Sequence, residues 1–311
     1  MRVILNPMAR HGAGRRLRSS LESELERHRF DFDLVLTEGP GHAIELARDA
    51  VHSGVRRIIA AGGDGTVHEV VNGMVAAGPA DSALGLIPIG TGNDFVKMVP
   101  GTSTREDAFI TLASQHTSPM DVGVARWDDD RTEYFINAMG TGIDVEVVRQ
   151  MRRSRWLPGG VIYVSALLRA LARYRPATLD ITVDGRSVRQ RVMNLAVCNG
   201  PSIGGSFRIC PDASPADGVL DICVVAEMPI WRNALMVPRV LKGTHVGQAG
   251  ITMLRGTTVR LGLPDGGPLL FQLDGELREA DDGAAGVKVL LAPARLNVIT
   301  RAPAGAGVPK E

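Results

Sequence analysis

Hydrophobic and polar positions follow two different patterns along the chain, and the change comes near residue 120. Before it, short β-rich runs alternate with segments whose apolar residues recur every three or four positions, as the leucines at 17, 21 and 25 do. Such alternation predicts parallel strands joined by helices in right-handed crossovers, and therefore a doubly wound α/β domain. In order, the predicted elements are the strand RVILN, a helix over 15–28, the strand FDLVLTE, the helix GHAIELARDAVHSG, the strand VRRIIAAGG, the helix VHEVVNGMVAAG and the strand ALGLIPIG.

After residue 120 the apolar runs are short, several alternate with period two, and Gly, Asp, Asn and Pro separate them. That pattern is typical of antiparallel strands in a sandwich or an open barrel. We predict an α/β domain over 1–122, an all-β sandwich over 123–300 whose last strand either stays there or returns to the first domain, and a disordered tail over 301–311. Two helical stretches, 151–176 and about 230–241, interrupt the strands. The predicted strands lie in DVGVARW, EYFINAMG, TLDITVDG, RQRVMNLAVCNG, GVLDICVVAE, TTVRLGL, LLFQLDGE and VKVLLAP.

Composition and charge narrow the class of protein. The chain has 311 residues, enough for two domains, with 44% hydrophobic and 22% charged residues, and this balance predicts a soluble globular protein. A net charge of +1 does not favour nucleic acid as a partner. The N-terminus lacks the apolar core of a signal peptide, and no apolar run reaches the ~18–20 residues of a transmembrane helix. We expect a cytoplasmic protein whose Cys198, Cys210 and Cys223 are reduced and buried.

A glycine-rich turn, Gly62-Gly63-Asp64-Gly65-Thr66, separates the third strand from the next helix. Its backbone N–H groups and the positive end of the helix dipole suit a phosphate. Neither a P-loop nor the G-x-G-x-x-G dinucleotide fingerprint is present. Asp64 would repel a bare phosphate at ~4 Å by roughly 4 kcal/mol at an effective dielectric near ~20. We therefore expect Asp64 to hold a cation next to the phosphates or to handle a hydroxyl proton, the alternative being an ordinary tight turn.

A second turn, Gly90-Thr91-Gly92-Asn93-Asp94, follows the fourth strand. In a doubly wound sheet, ligands bind where loops leave the carboxyl ends of neighbouring strands. We therefore expect the two turns to form one pocket with two carboxylates, unless Asn93 and Asp94 only cap a helix. Asn6 after the first strand and Thr37 after the second strand lie on the same edge. Arg16, at the head of the first helix, either neutralises phosphate or faces solvent.

These motifs resemble those of the diacylglycerol kinase catalytic family, the bacterial lipid kinases related to sphingosine and ceramide kinases. In the first domain the resemblance rests on Asn6-Pro7, on residues 62–66 and on Pro88–Phe95, in the order and spacing of the family. It continues in NAMGTGIDVEVV, in NGPSIGGSFRICPDASPADGVLDICVV and in LDGE, and it covers about residues 1–300. The glycine–aspartate turn alone also occurs in NAD kinases and phosphofructokinases, whereas the later blocks are those of lipid kinases.

The resemblance implies a NAD kinase/diacylglycerol kinase-like fold with an ATP-binding first domain and a lipid-binding second domain. It implies an ATP- and Mg²⁺-dependent kinase that phosphorylates a diacylglycerol-like lipid hydroxyl to a phospholipid such as phosphatidic acid, in a cleft between the domains. The candidate catalytic carboxylates are Asp64, Asp94, Asp274 and Glu276, and the sequence does not choose the proton acceptor among Asp64, Asp274 and Glu276. The implied ATP contacts are Asn6, Thr37, Gly62, Gly63, Asp64, Gly65, Thr66, Val67, His68, Thr91 and Asn93. The implied Mg²⁺ site is Asp217 with the backbone oxygens of Ser214 and Val219.

Two positions depart from the family pattern. Arg10-His11-Gly12 stands where Ser-Gly is usual, which puts the phosphate contact there in doubt. His68 replaces a common Asn, and we expect it on the surface of its helix. Considered without the family, the aspartates around Asp217 either suit Mg²⁺ or Ca²⁺ or only shape a turn. Asp274-Gly275 is by itself a hairpin signal.

A basic amphipathic segment, 151–176, predicts how such a chain reaches a lipid. Arginines surround Trp156 and an apolar helical pattern, which suits an anionic membrane surface, the alternative being a helix packed on the sandwich. The expected partners are ATP, a lipid substrate and the inner face of a membrane, contacted peripherally; a homodimer is left open. Rival functions are an NAD kinase-like enzyme, a soluble small-alcohol kinase and a non-catalytic lipid or nucleotide sensor.

Overall fold

The structure, a computed structural model, describes residues 1–90, 92–114, 116–153, 166–167, 169–171, 174–205, 207–280 and 286–302. The chain forms two compact units, of which unit 2 is Asp121–Pro293 and unit 1 is Met1–Met120 together with the segment that begins at Ala294. The chain therefore passes from unit 1 to unit 2 close to the predicted boundary at 122. It returns to unit 1 before residue 300, because the last strand extends the sheet of unit 1.

Unit 1 contains every element that the alternating pattern predicts, and the α/β prediction is confirmed. Two further helices, α4 and α5, follow the fourth strand. The bounds are β1 Arg2–Leu5, α1 Ala9–Arg27, β2 Asp33–Leu36, α2 His42–His52, β3 Arg57–Gly62, α3 Asp64–Ala76, β4 Ala83–Pro88, α4 Asp94–Met98 and α5 Arg105–Ser114.

The sheet of unit 1 is parallel, with the order β4-β3-β1-β2. The chain moves outward from β1 to β2 and then returns across β1 to β3, so the winding reverses between β1 and β3. Leu5 and Ile59 pack with α1 and α5, while the alternate residues Ile4 and Ile58 are equally buried. Strands covered on both faces explain the continuous apolar runs of the sequence. Ligands are expected beyond the carboxyl ends of β1 and β3.

Unit 2 is built mainly from antiparallel strands, as predicted. Its main path is β14-β13-β7-β9-β8-β12-β15, and β10 pairs with β9 and β11. The strands are β5 Thr117–Trp127, β6 Thr132–Phe135, β7 Ala138–Gly142, β8 Ala177–Val183, β9 Arg186–Cys198, β10 Leu220–Ala226, β11 Ile251–Gly256, β12 Thr258–Gly262, β13 Leu269–Leu273, β14 Glu276–Ala280 and β15 Val287–Ile299. Helices α6 Ile143–Arg153 and α7 Ile230–Lys242 lie among these strands.

The last strand belongs to both units. In unit 2, Val287–Leu290 pair antiparallel with β12, and in unit 1, Asn297 and Val298 pair in parallel with Ala83 and Leu84 of β4. Of the two alternatives for this strand, the structure has the one in which it returns to the first sheet. The predicted second domain, 123–300, is therefore too long at its C-terminal end.

Some local features differ from the predicted elements or fall outside the described residues. The run EYFINAMG is split into β6 and β7, and β11 and β14 were not predicted. Most of the basic segment over 151–176, including Trp156, and the tail beyond residue 302 lie outside the described residues. Among those described, Ala166 and Ala170 are buried against α6. Within the described part of the chain, no helix is long and apolar enough to cross a membrane. The three cysteines are buried and free.

Candidate active site

The first glycine turn joins β3 directly to α3. Gly62 ends the strand, Gly63 is the N-cap with an extended backbone (φ −102°), and Asp64 is already the first helical residue. A β-carbon on Gly62 would lie 2.5 Å from Cβ of Thr66, so the turn closes too tightly for a side chain there. The helix therefore begins at Asp64 rather than at the predicted Val67, and the turn places its N-terminal end beside the carboxyl edge of the sheet.

The carboxylate of Asp64 holds the second glycine turn. Its Oδ2 accepts the N–H of Asn93 and its Oδ1 accepts the N–H of Asp94, both at 2.7 Å. A β-carbon on Gly92 would lie 2.6 Å from Oδ2, so a side chain there would displace the carboxylate. We call this pair of hydrogen bonds the Asp64 clasp. It is a role additional to the two that we predicted for Asp64, cation binding and proton handling.

The backbones of the two turns also touch. A β-carbon on Gly90 would lie 2.5 Å from Cα of Gly63, and the N–H of Ile89 donates to the carbonyl of Gly62 at 2.8 Å. Asn93 adopts the left-handed conformation (φ 52°), and its Nδ2 donates to the carbonyl of Gly90 at 3.0 Å. Its Oδ1 is buried and accepts no hydrogen bond from the described residues. The two predicted turns are therefore one packed unit rather than two independent loops.

Asn6 adds the turn after β1 to this arrangement. Its Nδ2 donates to Oγ1 of Thr66 at 3.0 Å, and its Oδ1 accepts the N–H of Met8 at 2.9 Å. A β-carbon on Gly14 would collide with the carbonyl oxygen of Asn6, so α1 crosses the turn at close range only because residue 14 is glycine. The turns that follow β1, β3 and β4 thus meet at the point where the winding of the sheet reverses.

The remaining predicted nucleotide contacts are placed less centrally. Thr37 follows β2, is buried and donates its N–H to the carbonyl of Leu5 at 3.0 Å. Gly65 and Val67 lie at the start of α3, where Val67 is buried. Thr91 lies outside the described residues.

The prediction that His68 lies on the helix surface is wrong. The residue is 3% exposed, because α3 packs against both β3 and α2 and has almost no solvent face. Nδ2 of Asn72 donates to the carbonyl of His68 at 2.9 Å. Glu69, which we did not single out, accepts the N–H groups of Gly41 and Ala43 at 2.9 and 3.2 Å and thereby caps α2.

A cavity of about 400 Å³ opens beside the second turn, and three arginines line it. We call it the arginine pocket; its lining is Arg10, Arg16, Leu17, Pro88, Ile89, Gly90 and Arg105. Arg10 adopts a positive φ of 49°. The three arginines are exposed, and none forms a salt bridge with a carboxylate among the described residues. Three unneutralised guanidinium groups beside a glycine turn are suited to an anion with several negative charges.

In unit 2, Asp274 occupies the hairpin between β13 and β14. Both Asp274 (φ 48°) and Gly275 (φ 91°) have positive φ, as a type I′ turn requires. The Asp274 carboxylate accepts three backbone N–H groups, from Ile136 at 3.0 Å, Asn137 at 2.9 Å and Ala138 at 3.0 Å. These amides turn toward the carboxylate instead of a strand partner, which explains the break between β6 and β7. Glu276 begins β14 directly after the turn.

A buried carboxyl group that we did not predict supports this hairpin. Oδ2 of Asp144 accepts a hydrogen bond from Nε2 of Gln272 at 2.8 Å, while Oε1 of Gln272 accepts the N–H of Gly275 at 2.6 Å. Burial raises the pKa of Asp144 above its usual range, and the hydrogen bond from Gln272 opposes the shift only in part. The only sequence signal for Asp144 was its place in the block NAMGTGIDVEVV.

Asp217 lies in the loop before β10, where an arginine binds it. Nη2 of Arg255 lies 2.5 Å from Oδ2 of Asp217, and its Nε lies 3.1 Å from Oδ1 of Asp221. Asp121, another residue that we did not predict, fixes the same loop by accepting the N–H of Gly218 at 2.9 Å. The acidic loop is thus held from two sides.

The charges around Asp217 suit a cation. Burial raises the pKa of Asp221, the Arg255 guanidinium lowers it, and the Asp217 carboxylate raises it again. Oδ2 of Asp221 is buried without a hydrogen-bond partner among the described residues. Those residues contain no group of three or more His, Cys, Asp or Glu side chains placed to hold a metal ion. A hard cation would therefore depend on Asp217 and on main-chain oxygens such as those of Ser214 and Val219, and the excess of negative charge fits it.

Comparison with known proteins follows the division into two units. The diacylglycerol kinase catalytic domain model matches residues 1–125, and the model of the YegS C-terminal NAD kinase beta sandwich-like domain matches residues 137–300. A diacylglycerol kinase of Mycobacterium tuberculosis (strain CDC 1551 / Oshkosh) is 30% identical over 265 residues, which cover 84% of each chain. A diacylglycerol kinase of Bacillus subtilis (strain 168) is 28% identical over 281 residues, or 88% of this chain and 89% of the relative. The crystal structure of a diacylglycerol kinase from Bacillus anthracis str. Sterne has the same fold, with a TM-score of 0.71 at 21% identity over 96% of each chain.

Proposed function

We propose, because the chain belongs to the diacylglycerol kinase family, that it transfers the γ-phosphoryl group of ATP to the hydroxyl of a diacylglycerol-like lipid. The product would be a phospholipid of the phosphatidic acid type. Three turns packed at the switch point of a parallel sheet carry this proposal, since that edge is where such sheets bind nucleotides.

The nucleotide would lie across the first and second turns. The N-terminal end of α3 supplies a partial positive charge for phosphate oxygens, and Thr66 supplies a hydroxyl that Asn6 already orients. The Asp64 clasp fixes the distance between the two turns, so that both turns are in position before the ligand arrives. Transfer through a loose transition state depends mainly on such positioning and on charge neutralisation.

The arginine pocket would neutralise the polyphosphate. Arg10 stands in the stretch where the family usually has Ser-Gly, and this departure is compensated if its guanidinium replaces a backbone contact. Arg16 and Arg105 flank the same cavity. Of the two alternatives that we gave for Arg16, the pocket supports phosphate neutralisation.

We infer that Glu276 accepts the proton of the lipid hydroxyl and that Asp274 positions the strand that carries it. Both oxygens of Asp274 already accept backbone N–H groups, and their lone pairs are largely engaged. A carboxylate of ordinary basicity acts late, as the hydroxyl proton is released, and contributes mainly by orienting the nucleophile. Asp64 and Asp94 belong to unit 1, so a cleft that would bring them together with Asp274 and Glu276 of unit 2 stays a prediction.

Mg²⁺ would be held by Asp217 with the backbone oxygens of Ser214 and Val219. When bound, it supplies positive charge that neutralises neighbouring carboxylates and phosphate oxygens. Arg255 would have to release Asp217, which makes the affinity of this site depend on the salt bridge between them.

The experiment is phosphate transfer from radiolabelled ATP with Mg²⁺ to a panel of diacylglycerol, sphingoid, ceramide, phosphatidylglycerol and short soluble alcohol acceptors. We expect transfer to diacylglycerol, with Glu276→Gln lowering kcat by about 10²–10⁴-fold. The matched control is Glu279→Gln, an exposed glutamate on the same strand, which should retain activity. No transfer to any acceptor would refute the proposal, and transfer to soluble alcohols alone would replace the lipid by a small substrate.

A further inference from the structure

Helix α7 carries apolar side chains on two opposite faces, and one of these faces is exposed to solvent. On the inner face, Asn233 and Met236 are buried, and Val237 and Val240 pack on a core cluster of unit 2. Gly243 ends the helix in the left-handed conformation (φ 73°). The helix is thus anchored on unit 2 by its inner face.

The outer face presents large hydrophobic side chains to solvent. We call it the α7 face; its residues are Ile230, Trp231, Ala234, Leu235, Pro238 and Leu241. Trp231 is 63% exposed, Leu235 56% and Ile230 55%. Together with Leu241 and Val246, they are five of the eight exposed large hydrophobic residues in the described part of the chain. Such a cluster marks an interaction surface, whereas single exposed apolar residues do not.

Unpaired cations border the α7 face. Arg232, Arg239 and Lys242 lie on the same helix, and no Asp or Glu occurs between Met228 and Gly250. Arg232 and Arg239 donate to backbone carbonyls. None of the three cations pairs with a carboxylate of the described residues. The surface therefore combines an apolar stripe, an exposed tryptophan and a local charge of +3.

We propose that the α7 face is a docking surface for an anionic lipid bilayer. Apolar side chains with a tryptophan enter the boundary between headgroups and acyl chains, while flanking Arg and Lys remain at the level of anionic headgroups. This inference rests on the proposed function, since an enzyme acting on a diacylglycerol-like lipid must meet that lipid at a bilayer. The surface lies outside the basic segment over 151–176 from which the sequence predicts membrane contact.

A second copy of the chain fits the α7 face less well than an anionic bilayer does. A helix of 13 residues offers a face of ~20 Å by ~10 Å, about 200 Å², whereas a stable interface buries about 800 Å² on each partner. A two-fold interface would also bring two helices that each carry a charge of +3 close together. Anionic headgroups complement this charge, and the same charge opposes self-association.

The first test measures binding of the full chain to vesicles by co-sedimentation, with phosphatidylcholine alone and with phosphatidylcholine containing phosphatidylglycerol. We expect anionic vesicles to bind more tightly. Trp231→Gln with Leu235→Gln should weaken binding by at least about tenfold. Arg239→Gln with Lys242→Gln should weaken it by roughly 25-fold, at about fivefold for each cation, and only on anionic vesicles. The control is Val188→Gln, an equally apolar residue that is 45% exposed on β9.

The second test separates docking from catalysis. We expect the Trp231→Gln, Leu235→Gln variant to lose activity toward diacylglycerol in vesicles and to keep its activity toward a monomeric short-chain diacylglycerol. The docking proposal would be overturned if the wild-type protein did not bind anionic vesicles, or if the variant bound them as tightly as the wild type. A dimer in light scattering that these substitutions dissociate would also overturn it. If the wild type phosphorylated neither diacylglycerol, the kinase proposal would be refuted, whereas the binding of the protein to vesicles would still support the docking surface.

Discussion

The Asp64 clasp makes a quantitative prediction that distinguishes a positioning role from a purely chemical one. Asp64→Asn replaces one acceptor oxygen by an NH₂ group, which would face the N–H of Asn93 or of Asp94. A hydrogen bond to a charged group contributes about 1.5–3 kcal/mol, so the variant should lose about that amount of stability. Asp64→Ala removes both bonds and should cost about 3–6 kcal/mol.

The assay is the free energy of unfolding from urea titration, together with the Kd for ATP. We expect both to worsen in Asp64→Asn, because a loosened second turn no longer keeps its position against the first turn. Gly92→Ala should produce the same double effect without changing any charge, since the new β-carbon would push Oδ2 of Asp64 away. The matched controls are Asp81→Asn, an exposed aspartate, and Gly39→Ala, where a β-carbon meets no atom within 4 Å.

One result would refute this reasoning. If Asp64→Asn unfolded at the same urea concentration as the wild type and bound ATP equally well, while only kcat fell, the carboxylate would act in the chemical step alone. The two hydrogen bonds would then contribute nothing measurable to the assembly of the turns.

Three further predictions concern other groups. Burial raises the pKa of Asp144, so the folded protein loses stability as the pH rises through that pKa and the buried carboxyl group ionises. Asp144→Asn should therefore raise Tm at pH 8, and this advantage over the wild type should disappear as the pH falls to 4. A difference in Tm that does not depend on pH would contradict the assignment. Asp274→Asn should lower the unfolding free energy by about 1.5–3 kcal/mol, seen by urea titration, because one of its three amide donors loses its acceptor; unchanged stability would exclude this role. Arg16→Gln and Arg105→Gln should each raise the KM for ATP by about fivefold or more, in steady-state kinetics, and Arg48→Gln on α2 should not; equal KM values in all three would exclude the arginine pocket as the polyphosphate site.

The architecture of unit 1 could be predicted from the sequence because its strands are buried on both faces. Such strands are continuous apolar runs, and Ile58 to Ala61 is one of them. In unit 2 the polar strand ELREA was missed, since the edge strand β14 carries few apolar positions. Strand β11 was missed for a similar reason, because Gly256 alone of its six residues is fully buried.

The contacts of the candidate site were less predictable than its residues. Asp64 binds amides about 30 positions away, and Asp274 binds amides 136 to 138 positions away. No local pattern encodes such a pairing, so the sequence indicated the carboxylates and not what they hold. The prediction for His68 failed because a polar residue on a helix suggests exposure to solvent. The sequence does not show that α2 and β3 pack against α3 and leave it almost no exposed face.

The shared strand β15 has a consequence for biosynthesis. Until Asn297 and Val298 have left the ribosome, the β4 edge of the first sheet lacks its neighbour, although residues 1–120 have long been translated. The nascent chain therefore carries an uncapped edge through the synthesis of the whole second unit, a state open to misassociation and to chaperones. Neither unit can be excised at a single cut, and truncation near the C-terminus will first affect the end of β4 that contains Ala83 and Leu84.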